Sequence, residues 1–154
     1  MNVKNIAIAF ALGCAVMAHA AADKVIGFFP YWSQYSQFYP KDIRYSLLTH
    51  IHYANLNPAS DGSVALADEN DAPNVQELSK FAAENGVKLE VSVGGMEMES
   101  TLQEIAASEE LRNTFASNLV SWMQANGFSG VEIDWQNLST ENTADFTALL
   151  SALQ

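Results

Sequence analysis

Four short apolar runs recur along the chain, and residues that interrupt regular structure bound each of them. The runs cover residues 24–29, 47–56, 88–93 and 131–135. Their length and their β-branched and aromatic content predict buried strands. Pro30, Asn57-Pro58 and Gly94-Gly95 follow the first three runs and predict where those strands end.

Helical spacing of apolar residues separates the predicted strands. It predicts helices over residues 73–85, 109–126 and 141–153, with Gly86 and Gly127 ending the first two and Ser139-Thr140 capping the third. The acidic segment 61–71 carries no such spacing and is interpreted as a solvated loop. Alternating strands and helices predict an α/β fold with parallel strands.

Two architectures satisfy this alternation, a doubly wound sheet and a (β/α)₈ barrel. The first strand is not followed by a G-x-G-x-x-G sequence, so the dinucleotide-binding form of the doubly wound sheet has no support. A barrel has eight strands and about 250 residues. The chain has 154 residues and four such units, so we expect a fragment, a truncated gene, or a half that requires a partner to supply the other half of the barrel.

The first twenty residues have the features of a secretory signal peptide. Lys4 precedes an apolar run at residues 6–17, and Ala18-His19-Ala20 forms a small-residue cleavage site. The run is too short to span a bilayer, so no integral membrane segment is expected after cleavage. We expect a secreted or periplasmic mature domain over residues 21–154. Lipoprotein processing at Cys14 is the alternative.

The charge of the chain limits its partners. The formal net charge is −11, which argues against a nucleic acid as partner, because binding its backbone requires a positive face. Apolar residues make up 49% of the chain, which allows a packed core. Cys14 is the only cysteine, so a mature chain that starts at residue 21 has no thiol.

The fourth predicted strand carries the candidate chemistry. Side chains alternate across a strand, so Glu132, Asp134 and Gln136 share one face while the apolar residues between them share the other. Three polar groups within an apolar strand are costly unless they bond to one another or to a ligand. In a barrel they would enter the interior near the strand's C-terminal end, where barrel enzymes keep their chemistry.

The residues around this strand resemble family 18 glycoside hydrolases, the chitinase family. Residues 129–136 (S-G-V-E-I-D-W-Q) are similar to the family run D-G-x-D-x-D-x-E, and residues 92–95 (S-V-G-G) to its S-x-G-G. The first two strands are also similar to those of the family. The resemblance covers residues 24–150 and implies the first four β/α units of a (β/α)₈ TIM barrel.

The resemblance implies the role of each site residue. In this family the substrate's own 2-acetamido group attacks the anomeric carbon, so the protein supplies a general acid and a group that orients the acetamide. The general-acid position falls on Gln136, the orienting acid on Asp134 and the supporting acid on Glu132. Ser92 would bond into the acidic cluster, and Gly94 and Gly95 would form a tight turn at the rim of the substrate site.

The chain departs from the family pattern at several of these positions. An amide has no titratable proton near neutral pH, so Gln136 cannot act as a general acid. Glu132 is one methylene longer than the family aspartate, and Ser129 replaces another. We therefore expect a chitinase-like protein of chitin or N-acetylglucosamine polymer metabolism with impaired catalysis. The alternatives are a non-catalytic, lectin-like chitin-binding protein and a gene remnant.

The remaining candidates are aromatic residues and histidines. Tyr31, Trp32 and Tyr53 are expected to contact the glycan, whereas Trp135 is expected in the core. His50 and His52 share a strand face without an evident third ligand, so we expect core or loop-lining side chains and neither a metal nor another cofactor.

Overall fold

The computed structural model describes residues 24–154, so the predicted signal peptide and Cys14 lie outside the described residues. In chain order the strands and α-helices are β1 (Ile26–Pro30), β2 (His50–Pro58), β3 (Val64–Leu66), α1 (Ala72–Asn85), β4 (Lys88–Gly94), α2 (Glu99–Ala107), α3 (Glu109–Asn126), β5 (Gly130–Asp134) and α4 (Thr143–Ala152). Short 3₁₀ turns join several of them. None of the helices in this part of the chain is both long and apolar enough to cross a membrane.

Four parallel strands form the sheet in the order β1-β2-β4-β5, and β3 pairs antiparallel with the end of β2. The parallel strands thus lie side by side in their chain order. A doubly wound sheet reverses that order at its switch point, whereas a barrel does not. The predicted α/β fold with parallel strands is confirmed, and the strand order favours the barrel architecture.

The two faces of the sheet differ in character. Alternate residues such as Ile51, Tyr53, Val91 and Val93 are almost fully buried against the helices. Burial of such side chains stabilises the fold by about 1.5–3 kcal/mol each. The opposite face carries polar residues, among them His52, Ser92 and Glu132, and it would face the interior of a barrel.

The helix ends follow local sequence. Ser108 caps α3, with its hydroxyl accepting from the Leu111 amide at 3.3 Å. Gly86 and Gly127 end α1 and α3 with φ of 67° and 78°, as predicted. Helix α4 begins at Thr143, later than predicted, and its Leu150 is exposed.

Helix α2 was not predicted from the sequence. Its buried residues are only Leu102, Ile105 and Ala106, a pattern too short to stand out in a periodicity search.

The prediction that segment 61–71 is a solvated loop is wrong in two places, a short strand and a buried aspartate. Strand β3 lies inside the segment, and Asp71 at its end is fully buried. The Asp71 carboxylate accepts hydrogen bonds from the Tyr53 hydroxyl at 2.8 Å and from the Asn74 amide at 2.6 Å. Burial raises the pKa of Asp71 above its usual range, and burial likewise raises the pKa of Tyr53.

Asp71→Asn is expected to reduce the free energy of unfolding by about 1–3 kcal/mol at pH 7, because the two hydrogen bonds go to different carboxylate oxygens and an amide keeps only one of them. At pH values between the ordinary and the raised pKa of Asp71, this carboxyl is protonated in the folded chain and ionised in the unfolded chain. The contribution of Asp71 to stability therefore increases as the pH falls from 7 towards 4. The difference in unfolding free energy between the parent and the variant should increase over the same range. Urea denaturation of both proteins at these pH values measures this difference in unfolding free energy.

Asp61→Asn provides the control, because the pKa of this carboxyl is shifted in the opposite direction to that of Asp71. Hydrogen bonds from the Ser63 side chain and backbone lower the pKa of the exposed Asp61. Its contribution to stability is lost only as the pH falls below the ordinary carboxyl pKa of about 4, so between pH 7 and 4 the difference in unfolding free energy between the parent and this variant should stay nearly constant. A gap for Asp71→Asn that does not change with pH would contradict the assignment of a buried, proton-holding carboxyl.

Candidate functional site

A cavity of about 410 Å³ opens at the C-terminal ends of the parallel strands. Every one of the four parallel strands contributes to its wall, through its last residues or the loop that follows it. The lining residues are Tyr31, Trp32, Ala54, Asn55, Asn57, Ala67, Ser92, Gly94, Gly95, Met96, Glu97, Met98, Asp134 and Gln136.

Strand β5 presents its polar residues on the face predicted from the alternation. Val131 and Ile133 pack against the core on the opposite face. Asp134 and Gln136 line the cavity, and the Gln136 amide donates to the Asp134 carboxylate at 3.2 Å. Glu132 does not line the cavity; its carboxylate lies 3.3 Å from His52 Nδ1. The predicted trio is therefore divided between two environments.

The end of β4 forms the back of the cavity. Ser92 is buried and lies in register with Glu132 of β5. Within residues 24–154, the Ser92 hydroxyl makes no hydrogen bond to an acidic side chain, contrary to the expectation from the resemblance. Ser92 instead adds a hydroxyl to the cavity wall.

Gly94 and Gly95 make a turn that L-residues with side chains rarely adopt. Their φ angles are 119° and 108°. The Gly95 amide donates to the Asp134 carbonyl at 2.9 Å, which joins the turn to β5. A Cβ on Gly94 would lie 2.6 Å from that same carbonyl oxygen. The pair thus lets β4 and β5 approach closely beside Asp134.

Asn55 was not predicted as a site residue. A register shift between Ala54 and Leu56 interrupts β2, the Ala54–Asn55 peptide is cis, and Asn55 lines the cavity. Its amide donates to the Gly94 carbonyl at 2.9 Å and to Asn57 Oδ1 at 3.0 Å. The nearby Asn57-Pro58 pair indicates only a strand end, and nothing in the local sequence indicates the register shift.

The aromatic candidates fall into two groups. Tyr31 and Trp32 line the cavity from the turn after β1, and the Trp32 side chain is 53% exposed. Their rings meet edge to face with 5.0 Å between centroids. Tyr53 is fully buried on the helix side, bonded to Asp71, so the expectation that it contacts a glycan is wrong. Trp135 lies in the core against Phe146, as predicted.

The two histidines face the barrel interior from β2. His50 and His52 are buried, and Glu90 of β4 lies 3.9 Å and 2.7 Å from their Nε2 atoms. Within residues 24–154, no group of three or more His, Cys, Asp or Glu side chains is arranged to hold a metal ion.

The cavity combines one carboxylate with neutral donors and acceptors. Asp134 supplies the carboxylate, Gln136 and Asn55 supply amides, and Ser92 supplies a hydroxyl. The exposed face of Trp32 provides an apolar platform at the rim. Such a wall suits a ligand rich in hydroxyl and amide groups.

Comparison with known proteins assigns the fold and cavity to a family. Residues 24–154 match the model of glycosyl hydrolases family 18. The chain belongs to this family. Its four parallel strands with their helices match about 40% of the length of family 18 barrel chains.

Individual family 18 proteins are similar to parts of the chain. The chitinase-like mite allergen Der f 18.0101 of Dermatophagoides farinae is 34% identical over 72% of this chain and 24% of its own length. The Ostrinia furnacalis Group IV chitinase, solved in complex with allosamidin, is 26% identical with a TM-score of 0.77, covering 85% of this chain and 40% of that chain.

A second family 18 structure has the same fold at lower identity. A variant of the Cycas revoluta family 18 chitinase, solved with a tetramer of N-acetylglucosamine, has a TM-score of 0.75 and 24% identity, covering 83% of this chain and 38% of that chain. The chain therefore spans well under half the length of these family 18 relatives.

Proposed function

We propose that this chitinase-like chain binds an N-acetylglucosamine-containing glycan of the chitin type in the cavity, and that its turnover is impaired. The observation that carries the proposal is Gln136, which lines the cavity and bonds to Asp134 at 3.2 Å. We assign Gln136 to the general-acid position. The two solved relatives described above hold allosamidin and an N-acetylglucosamine tetramer, which supports the choice of ligand class.

The cavity wall accounts for binding of such a glycan. Asp134 can accept a hydrogen bond from the N–H of an acetamido group, and a charge-assisted bond of this kind is strong. Ser92 and the Asn55 amide lie on the same wall and can bond to hydroxyl or carbonyl oxygens. The exposed Trp32 ring can stack against the C–H face of a sugar.

The same wall accounts for impaired turnover. Hydrolysis needs a proton on the leaving glycosidic oxygen, and the Gln136 amide has none to give. Loss of a general acid costs about 10²–10⁴-fold in rate. A lectin-like protein without turnover is the second candidate, favoured because Gln136 can still bond to the glycan through its amide. We also propose export of the mature domain, based on the sequence pattern of residues 1–20.

Asp134→Asn is expected to weaken binding of tetra-N-acetylchitotetraose about 10- to 100-fold. The reason is that loss of a charge-assisted hydrogen bond costs about 1.5–3 kcal/mol. Isothermal titration calorimetry on the parent and the variant measures the affinity. Glu84→Gln, an exposed position on α1, removes the same charge away from the cavity and should leave the affinity unchanged. Equal affinity of parent and Asp134→Asn would contradict the proposed site.

A further inference from the structure

A second group of polar side chains lies on the interior face of the sheet, towards the N-terminal ends of its strands from the cavity. His52 of β2 pairs in register with Glu90 of β4, and Glu90 pairs with Gly130 of β5. The ring nitrogens of His52 lie 2.7 Å from Glu90 Oε2 and 3.3 Å from Glu132 Oε2. We call His52, Glu90 and Glu132 the interior triad.

The interior triad requires a proton beyond those of a neutral imidazole and two carboxylates. A neutral imidazole has one N–H donor and one acceptor nitrogen. Both nitrogens of His52 face carboxylate oxygens, and a carboxylate can only accept. Either His52 is an imidazolium or one glutamate carries a proton. In both cases the triad holds one extra proton, which lies between His52 and the two carboxylates.

Neighbouring residues fix the triad in this arrangement. Gly130 leaves room for the Glu90 side chain, since a Cβ there would lie 2.9 Å from Glu90 Cγ. The Phe28 ring meets the His52 ring edge to face at 5.1 Å. His52 is buried to 11% side-chain exposure, so its contacts with the carboxylates exclude most water. The contacts are therefore stronger than those of a surface ion pair.

The triad connects to the cavity through β5. Glu132 and Asp134 are two residues apart on the same face of that strand, so the triad lies beside the ligand carboxylate. Glu90, Glu132 and Asp134 place three carboxylates on this face. Negative charges on one face repel one another. The extra proton held by the triad reduces that repulsion.

We infer that His52 is a positioning residue: it holds the extra proton and fixes Glu132 next to Asp134, the carboxylate proposed to bind the glycan. The part of the inference that concerns ligand binding rests on the proposed function. The groups facing His52 are Phe28 from β1, His50 from its own strand, Glu90 from β4 and Glu132 from β5. Lys88 stands in register with His50, one row further from the cavity.

Imidazole NMR tests the shared proton without any ligand. Long-range ¹H–¹⁵N spectra of the ¹⁵N-labelled full chain distinguish an imidazolium from the two neutral tautomers. The His52→Gln variant identifies the His52 signals among the three histidines of the chain. At pH 8, where an ordinary imidazole is neutral, we expect a His52 imidazolium, or a neutral ring together with a protonated glutamate in ¹³C carboxyl spectra. A neutral ring with both glutamates ionised would overturn the inference.

A charge-rescue experiment tests the link to the cavity. His52→Gln should weaken tetra-N-acetylchitotetraose binding at pH 7 about tenfold, because three carboxylates then share the face without the extra proton that the triad holds. Adding Glu90→Gln removes one of these carboxylates and should restore most of the affinity. A merely structural role predicts that the second substitution leaves binding weak or weakens it further, which would overturn the inference.

Two comparisons separate failure of the inference from failure of the proposed function. Should His52→Gln fail to fold, His52→Asn with and without Glu90→Gln repeats the same comparison with a smaller amide side chain. If the parent itself does not bind the tetramer while the NMR result holds, the proposed function fails and the shared proton stands. If the parent binds and His52→Gln binds equally well, the positioning role fails.

Discussion

Gly94→Ala is expected to lower the free energy of unfolding by about 2–6 kcal/mol, the largest effect on stability of any change considered for the cavity. Two costs add. Gly94 has a φ of 119°, where a residue with a Cβ pays about 1–3 kcal/mol in strain. The added Cβ would also lie 2.6 Å from the Asp134 carbonyl oxygen and 2.9 Å from Leu102 Cδ1, and such overpacking costs about 1–3 kcal/mol.

Gly95→Ala separates the two costs. Gly95 has nearly the same backbone strain, with a φ of 108°, but a Cβ there would have no neighbour within 4 Å. We expect this variant to lose about 1–3 kcal/mol, from strain alone. Urea denaturation followed by circular dichroism measures both variants. Equal losses at the two glycines would show that β5 does not press against Gly94.

The Gly94 substitution should also disturb the ligand site. The close contact is with the backbone of Asp134, so relief of the clash must move the end of β5 or the turn after β4. Either movement alters the Gly95 amide bond to the Asp134 carbonyl and the Asn55 bond to the Gly94 carbonyl. Weakened glycan binding is therefore expected to accompany the loss of stability, whereas Gly95→Ala should affect binding less.

Strand periodicity was sufficient to predict which side chains of β5 face the interior. Val131 and Ile133 are apolar and Glu132 and Asp134 are polar, so only one orientation buries the apolar pair. The same reasoning could have corrected Tyr53. It alternates with His52 and Ala54 on β2, which places it on the helix side, whereas the expectation that it contacts a glycan rests only on its aromatic ring.

Other features depend on contacts that no local pattern encodes. Asn55 enters the cavity because a register shift reverses the alternation of β2 after Ala54. The proximity of His52 to Glu132 joins residues 80 positions apart, through the pairing of three strands. Asp71 can be buried because Tyr53 and Asn74 donate hydrogen bonds to its oxygens. The acidic residues around it in the sequence instead predict a solvated position.

Gln136→Glu is expected to raise the hydrolysis of a fluorogenic N-acetylchitooligosaccharide about 10²–10⁴-fold over the parent, the range that a general acid contributes. The new carboxyl would replace an amide that already bonds to Asp134 at 3.2 Å. A second carboxylate that close disfavours ionisation of both, so the new carboxyl tends to hold the proton that the leaving oxygen needs. Fluorescence release at several pH values measures the gain.

Gln136→Ala is the matched control, because it removes the amide without adding a proton donor. Its turnover should stay at the level of the parent, and adding Asp134→Asn to Gln136→Glu should remove most of the gain, since no group would then orient the acetamide. Calorimetry on the same samples decides the meaning of a negative result. If Gln136→Glu binds the tetramer like the parent and yet hydrolyses no faster than Gln136→Ala, then Gln136 does not occupy the general-acid position.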